Sequence, residues 1–341
     1  MSSDGMTRNF MNRPLDISLW QQLASDPAVD GIVRRRVLPE TIHDVFLGEK
    51  RPSGQRVLLL SIKGPPIGLP RKRPLSRGLA VDVEISAENL VNIQLTSTSP
   101  AGDSLFAELA SDVVGVLAQS PGHGAAGRVL DRVVAWQSFF AARREVFTGE
   151  TAAGLFAELT VLGEILIPAI GPSSAVAAWC GPDPAVQDFQ RGDLAVEVKS
   201  YRGNGPGKLS ISSERQLDVT GLSELYLAYI RLDQRPEGTG TTLGQAIDSL
   251  KEVIAETASA YDLFLERLLS YGWHESLTDT LTDRYHVRSS ELFKVSPGFP
   301  RILAESLPLG VGGVSYHIDR SAIEEFLFPE EAFAARLREL H

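Results

Sequence analysis

Two acids and a lysine stand close together in the stretch "QDFQRGDLAVEVKS", residues 187–200: Asp188, Glu197 and Lys199. Gly192-Asp193 is a favoured two-residue hairpin turn, because glycine tolerates a positive φ at the first central position. With that turn the opposed pairs are Arg191 with Leu194, Gln190 with Ala195, Phe189 with Val196 and Asp188 with Glu197. Opposed side chains in a hairpin have Cβ atoms about 4.5–5.5 Å apart, where like charges destabilise unless a cation lies between them. Lys199 follows Glu197 by two residues, the period of a strand, so it falls on the same face. Two carboxylates with a backbone carbonyl make a hard oxygen site of the kind Mg²⁺ takes. A lysine beside such a site can orient a water and stabilise negative charge on a phosphoryl transition state. The chemistry predicted is phosphodiester hydrolysis. The competing reading is a surface salt bridge on a polar strand. Leu194, Val196 and Val198 on the other face, with Asp188 opposed, favour the site.

The elements that would hold these residues follow from the surrounding pattern. From Thr151, "TAAGLFAELTVLGEIL" repeats Leu155, Leu159, Leu162 and Leu166 at three- and four-residue steps, which predicts an amphipathic helix. "AVAAWC" reads as a buried strand, "GPDP" as a turn, then come the hairpin, a helix start at "SERQLDVT" and a buried strand at "ELYLAYIRL". The predicted order is helix, three strands, helix, strand. Past a linker-like "DQRPEGTG" come two helices, "LGQAIDSLKEVIAE" and "AYDLFLERLLSYG", two strands, "ELFKVS" and "GVSYHID", and a helical C-terminus. Upstream, "ISLWQQLA" predicts a short helix, and "QRVLLLSIKG", "LAVDVEIS" and "LVNIQLTS" predict strands. Two helices, "DSLFAELASDVVGVLAQS" and "RVLDRVVAWQSFFAARR", close this first region, which puts a domain boundary near residue 145.

With these elements in place, Asp188 followed by Glu197-Val198-Lys199, preceded by "GLFAEL" and followed by a serine-rich helix start carrying Gln216, resembles the PD-(D/E)XK nuclease superfamily. More narrowly, "GLFAEL", "DFQRGDLAVEVKS", "ISSERQL" and a late "FPRI" and "VSYHID" resemble a PD-(D/E)XK family of bacterial proteins often found beside phage-defence genes. The resemblance implies an α/β fold with a restriction-endonuclease-like core on a mixed sheet over residues 146–235. A β-rich N-terminal domain (1–145) for substrate or partner binding would precede it, and an α+β extension (236–341) packed on the core would follow. It implies Asp188 and Glu197 as metal ligands, Val198 as a carbonyl ligand, Lys199 as the catalytic lysine and Glu158 as a helix acid reaching a metal or its water. Each has a rival. Glu164 lies on the same helix as Glu158. Asp183, in the literal Pro182-Asp183 dipeptide, also precedes Glu197, but it sits between two prolines in a turn and would not face Glu197. Gln216 is either a site residue or the fourth member of a capping box begun by Ser213.

The chain of 341 residues carries a net charge of −10, which by itself opposes a polyanionic partner. The distribution softens this. Residues 1–80 hold 13 Lys+Arg against 7 Asp+Glu, and residues 81–341 hold 20 against 36. The basic excess includes Arg34–Arg36 and the run Arg71, Lys72, Arg73, the latter expected to touch nucleic-acid phosphates. A single cysteine, Cys180, excludes an internal disulfide and a cysteine-rich zinc cage, and no apolar leader opens the chain, so a cytoplasmic protein with no membrane partner is expected. "GNGPGKL" fails as a phosphate-binding loop, with three residues between its outer glycines and Leu209 after Lys208. The combined expectation is a Mg²⁺-dependent nuclease, with Mn²⁺ able to substitute, acting as a DNA endonuclease in a restriction or phage-defence system. A non-catalytic interaction subunit and an RNA-cleaving relative are the alternatives. Further defence proteins or a second copy of the chain are left open as partners.

Overall fold

The computed structural model describes residues 18–38, 41–64, 78–86, 90–98, 103–119, 122, 124–142, 147–181, 187–205, 207–278 and 280–340. The chain is a mixed α/β protein that divides into two units, Met1–Glu145 and Val146–His341.

In the first unit a short helix, α1 (Ser18–Ala24), precedes β1 (Gly31–Val37), β2 (Asp44–Arg51), β3 (Arg56–Lys63), β4 (Leu79–Ser86) and β5 (Leu90–Ser97). These form one antiparallel sheet in the order β1-β2-β3-β5-β4. Residues such as Leu58, Leu60 and Ile62 on β3 and Val91, Ile93 and Leu95 on β5 are almost wholly buried, the alternation expected of a sheet with one covered face. The helices α2 (Asp103–Gln119) and α3 (Ala125–Ala142) complete the unit. Strands β1 and β2 carry no alternation clear enough to announce them in the sequence. Arg34–Arg36 therefore lies on an exposed edge strand, paired with Gly48, Leu47 and Phe46. These arginines serve their own sheet: Arg36 pairs with Asp44 at 2.7 Å, Arg34 stacks over the Phe46 ring and Arg35 donates to Gln22. The run Arg71, Lys72, Arg73 lies outside the described residues.

The second unit is built on one long helical run: α4 (Gly149–Val161), a π turn (Leu162–Leu166) and α5 (Ile167–Ala178), kinked at Gly171-Pro172. Thr148 caps its start by accepting a hydrogen bond from Thr151 N at 3.2 Å. Leu155, Leu159, Leu162 and Leu166 all point into the core, as their spacing predicts. By length and composition this run could cross a membrane, with a mean hydropathy of 1.7. Here it is the central core helix, packed against the sheet and against two further helices, α6 (Leu243–Ile254) and α7 (Ala258–Tyr271). The expected strand at 175–180 is instead the end of α5, and only Trp179 bridges to Phe189. Its alanines favour helix once the preceding leucines have set the register.

The sheet beside this helix has the order β10-β11-β9-β7-β6, with β6 (Phe189–Arg191), β7 (Leu194–Tyr201), β9 (Glu224–Arg235), β10 (Thr241–Thr242) and β11 (Arg284–Lys294). Strands β7 and β9 are parallel and the other neighbours antiparallel. A parallel pair needs a long crossover. This one holds β8 (Lys208–Ile211), which pairs with β12 (Tyr316–Asp319) in a separate ribbon. The helix expected at "SERQLDVT" is a pair of turns: Gln216 N bonds Ser213 O, Asp218 N bonds Arg215 O, and Asp218 then turns the chain by accepting from Thr220 N at 2.9 Å. Its Asp-Val-Thr tail favours an Asx turn over helix propagation. The helix α8 (Glu330–Glu339) ends the described chain.

Candidate active site

The hairpin has the register that its turn dictates: Phe189 opposes Val196, Gln190 opposes Ala195 and Arg191 opposes Leu194. Gly192 takes φ +60° and Asp193 does not, so the glycine supplies the one positive φ such a turn needs. β6 is only three residues long, so among the described residues the flank of β7 beyond Val196 has no strand against it on that side. Asp188 sits at this point, one residue before the ladder begins. Its carbonyl accepts from Cys180 N at 2.8 Å, and its Oδ2 accepts from Val198 N at 2.6 Å. In an extended strand the N–H and C=O of one residue point to the same side, so the Val198 carbonyl faces the Asp188 flank as well.

The period of two divides the side chains of β7. Leu194, Val196 and Val198 enter the core under the long helix, while Ala195, Glu197 and Lys199 occupy the opposite face, beside Leu225, Leu227 and Tyr229 of β9. Glu197 is only 2% exposed, and its Oε1 lies 2.7 Å from Lys199 Nζ. The lysine also donates to Gln216 Oε1 at 3.0 Å, and that same oxygen accepts from Ser212 N at 2.8 Å. Gln216 therefore ties the crossover loop to the lysine rather than closing a capping box with Ser213. Glu158 reaches the cluster from α4. Its Oε2 accepts from Trp179 Nε1 at 2.8 Å and its Oε1 accepts from the Tyr271 hydroxyl at 2.6 Å, which sets it close enough to feel the charge of Asp188.

Electrostatics follow from three acids gathered in a buried volume with one cation. Burial raises the Asp188 carboxyl to about 6, against the opposing pull of the Val198 amide and Lys199. Burial and then the charge of Asp188 raise Glu197 to about 8, with Lys199 opposing. Glu158 is pushed well above the usual carboxylate range, first by burial and then by Asp188, and the Tyr271 hydroxyl is raised by burial and by Glu158. Burial thus disfavours the charged form of each acid, and the charge of Asp188 adds to this at Glu158 and Glu197.

The structure brings Glu158, Asp188, Glu197, Lys199 and Gln216 into one connected group, with Val198 at its edge. Glu164 is exposed and near Glu330, away from that group, whereas Asp183 lies outside the described residues. Trp179 and Tyr271 were not foreseen as partners of Glu158. Tyr271 is 113 residues away in sequence, and nothing local signals the contact. The glycines after β7 serve packing: a Cβ on Gly203 or Gly207 would fall 2.2 or 2.1 Å from the Tyr201 or Tyr229 hydroxyl.

For a divalent ion, the donors of suitable chemistry are the oxygens of Asp188 and Glu197 and the Val198 carbonyl, all hard ligands, and the raised carboxyls fit a missing positive charge. Among the described residues no three of His, Cys, Asp or Glu are arranged to hold a metal. The donor set is thus two carboxylates and a carbonyl, leaving other positions to water or substrate. No curated protein and no solved structure matches the chain. A family model does, over residues 17–321, and its description reads "Putative PD-(D/E)XK family member, (DUF4420)". The match spans the helix acid, the hairpin and the loop that carries Gln216, and with most of its length covered the chain belongs to this family.

Proposed function

We propose that the second unit is a metal-dependent phosphodiesterase with a restriction-endonuclease-like core, formed by the long helix, the β6–β7 hairpin and the parallel strand β9. The observation that carries this reading is the gathering of Glu158, Asp188 and Glu197 around one lysine: burial raises all three carboxyls, Asp188 raises Glu158 and Glu197 further, and Lys199 pairs with Glu197 and draws Asp188 down. Asp188, Glu197 and the Val198 carbonyl would hold Mg²⁺, with Mn²⁺ able to substitute, and Glu158 would reach the ion or its water. Such an ion, when bound, polarises the phosphoryl group and lowers the pKa of a bound water.

The chain's own residues divide the rest of the work. An ammonium has three N–H donors. Lys199 gives one to Glu197 and one to Gln216, which leaves the third for a water or a phosphate oxygen. Gln216, fixed by Ser212 N, keeps the lysine from swinging away. Glu158 is oriented at both oxygens by Trp179 and Tyr271, so its position is set before substrate arrives. Deletion of a preorganised charge of the Lys199 kind costs about two to three orders of magnitude in rate.

DNA is the substrate this reading favours, in the cytoplasm and as part of a restriction or phage-defence system. The first unit is assigned to substrate or partner binding, with Arg71, Lys72 and Arg73 as phosphate contacts. The competing reading is a non-catalytic interaction subunit. Purified protein incubated with plasmid DNA and with RNA, in Mg²⁺, Mn²⁺ or EDTA, separates the readings. Cleavage of plasmid that EDTA stops and Glu197→Gln abolishes is expected. Cleavage of RNA alone moves the substrate, and cleavage of neither under any ion overturns the enzyme in favour of the subunit.

A further inference from the structure

Ile211 and Tyr316 form the last pair of the β8–β12 ribbon, and beyond them the two chains part. An open depression lies in the fork, lined by Ser212, Ser213, Glu214, Arg215, Gln216 and Gly313. Glu214 bridges the fork: its Oε2 accepts from Val314 N at 2.9 Å and its Oε1 from Gly313 N at 3.3 Å. Those two bonds occupy both carboxylate oxygens, and the acid is nearly buried. What the depression offers besides is a set of donors.

Gln216 shows the direction most clearly. Both groups that face its side-chain oxygen, Lys199 Nζ and Ser212 N, can only donate, so that atom must be the oxygen and the amide NH₂ must point the other way. No hydrogen bond ties that NH₂ among the described residues. The same holds for the hydroxyls of Ser212 and Ser213. Arg215 is exposed and makes no ion pair among the described residues, acting on Glu214 only through longer-range attraction. Arg215, Gln216, Ser212 and Ser213 line one hollow, and a guanidinium, an amide NH₂ and two hydroxyls suit the oxygens of a tetrahedral anion. Because Gln216 Oε1 also receives Lys199, the hollow and the acid cluster share one side chain.

We infer that this depression is a subsite for a backbone phosphodiester next to the one being cleaved, with Arg215, Ser212 and Ser213 as phosphate contacts and Gln216 as the residue that couples the occupied subsite to Lys199. The inference rests on the phosphodiesterase reading and adds the residues that place the strand. An anion bound to the Gln216 NH₂ would hold its amide plane, and with it the lysine, in the orientation described above.

Binding without cleavage tests it. A labelled oligonucleotide is titrated in EDTA at salt concentrations between about 50 and 200 mM, where the slope of log affinity against log salt counts phosphate contacts. Arg215→Ala should weaken binding by about three- to tenfold and flatten the slope by about one, whereas Arg215→Lys, which keeps the charge, should retain the slope. The double change Ser212→Ala with Ser213→Ala should lower affinity with the slope unchanged, because neutral donors release no counterions. Arg215 is exposed, so its removal should leave the melting temperature of the protein in place. A wild type that binds and cleaves while Arg215→Ala matches its affinity and slope overturns the subsite and leaves the phosphodiesterase reading standing. A wild type that neither cleaves nor binds any strand removes both. If inorganic phosphate displaces the strand as effectively as unlabelled oligonucleotide of equal phosphate content, the hollow takes the free anion and the backbone assignment falls.

Discussion

The first sheet and the hairpin edge of the second handle their acids in opposite ways, although Glu224, Asp233 and Glu291 elsewhere in the second sheet are ion-paired. In the antiparallel sheet of the first unit, Asp44 pairs with Arg36 and Glu49 with Arg51, each acid with an arginine of its own. At the hairpin edge of the mixed sheet in the second unit, Asp188 and Glu197 meet Glu158 from the adjoining helix, with Lys199 paired to Glu197, and all three carboxyls are raised. A sheet needs nothing of the second kind to fold. Acids left short of counter-charge in a buried volume lower stability, and they are retained where a ligand supplies the missing charge. The contrast separates acids that ion pairs satisfy from acids that burial leaves raised, and on the proposed reading a metal ion supplies the missing charge.

The largest effect that would sharpen this contrast is on rate. Lys199→Ala and Glu197→Gln should each lower plasmid cleavage by about a hundredfold or more with the fold retained, as judged by circular dichroism. Cleavage at the wild-type rate by folded Lys199→Ala would break it.

Next in size is the pH dependence of stability without metal. Asp188 and Glu197 have folded-state values of about 6 and about 8, above those of an unfolded chain. The folded state therefore binds more protons than the unfolded one from about pH 4, where an unfolded carboxyl ionises, up to about 6 for Asp188 and about 8 for Glu197, and stability falls as pH rises through that window. In EDTA the melting temperature should drop by roughly 5 °C or more from pH 5 to pH 8, and Glu197→Gln should remove most of the drop. Added Mg²⁺ should raise the melting temperature more at pH 8 than at pH 5, since the acids are then charged. A flat profile in EDTA would show that the acids are not short of charge.

A smaller effect is expected from Tyr271→Phe, which removes the donor to Glu158 Oε1 and keeps the ring. Cleavage should fall by about tenfold, the scale seen when the orienting partner of a site group is lost, with little change in substrate affinity. Equal kinetics for mutant and wild type would make that hydrogen bond merely structural. Smallest of all are the controls on either side of the comparison. Asp44→Asn breaks an exposed pair in the first sheet and should cost less than about 1 kcal/mol. Glu164→Gln should leave cleavage within about twofold, because that acid stands outside the cluster.

The sequence by itself determined the local parts of this arrangement. Gly192-Asp193 sets the turn, the turn sets the register, and strand alternation then places Glu197 and Lys199 together with Asp188 opposite, all within fourteen residues of chain. The leucine spacing of the long helix likewise fixes which face enters the core, and so where Glu158 points. Turn chemistry and periodicity are short-range, and one sequence is enough to read them. Other features depended on partners distant in the chain. Tyr271 meets Glu158 across 113 residues, and the fork that shapes the hollow around Arg215 exists only because β8 finds β12. Long-range pairings of this kind are decided by burial of the whole unit, which no short stretch encodes. Tertiary structure thus decided how the acids are oriented, how far their charge is raised and which donors stand beside them.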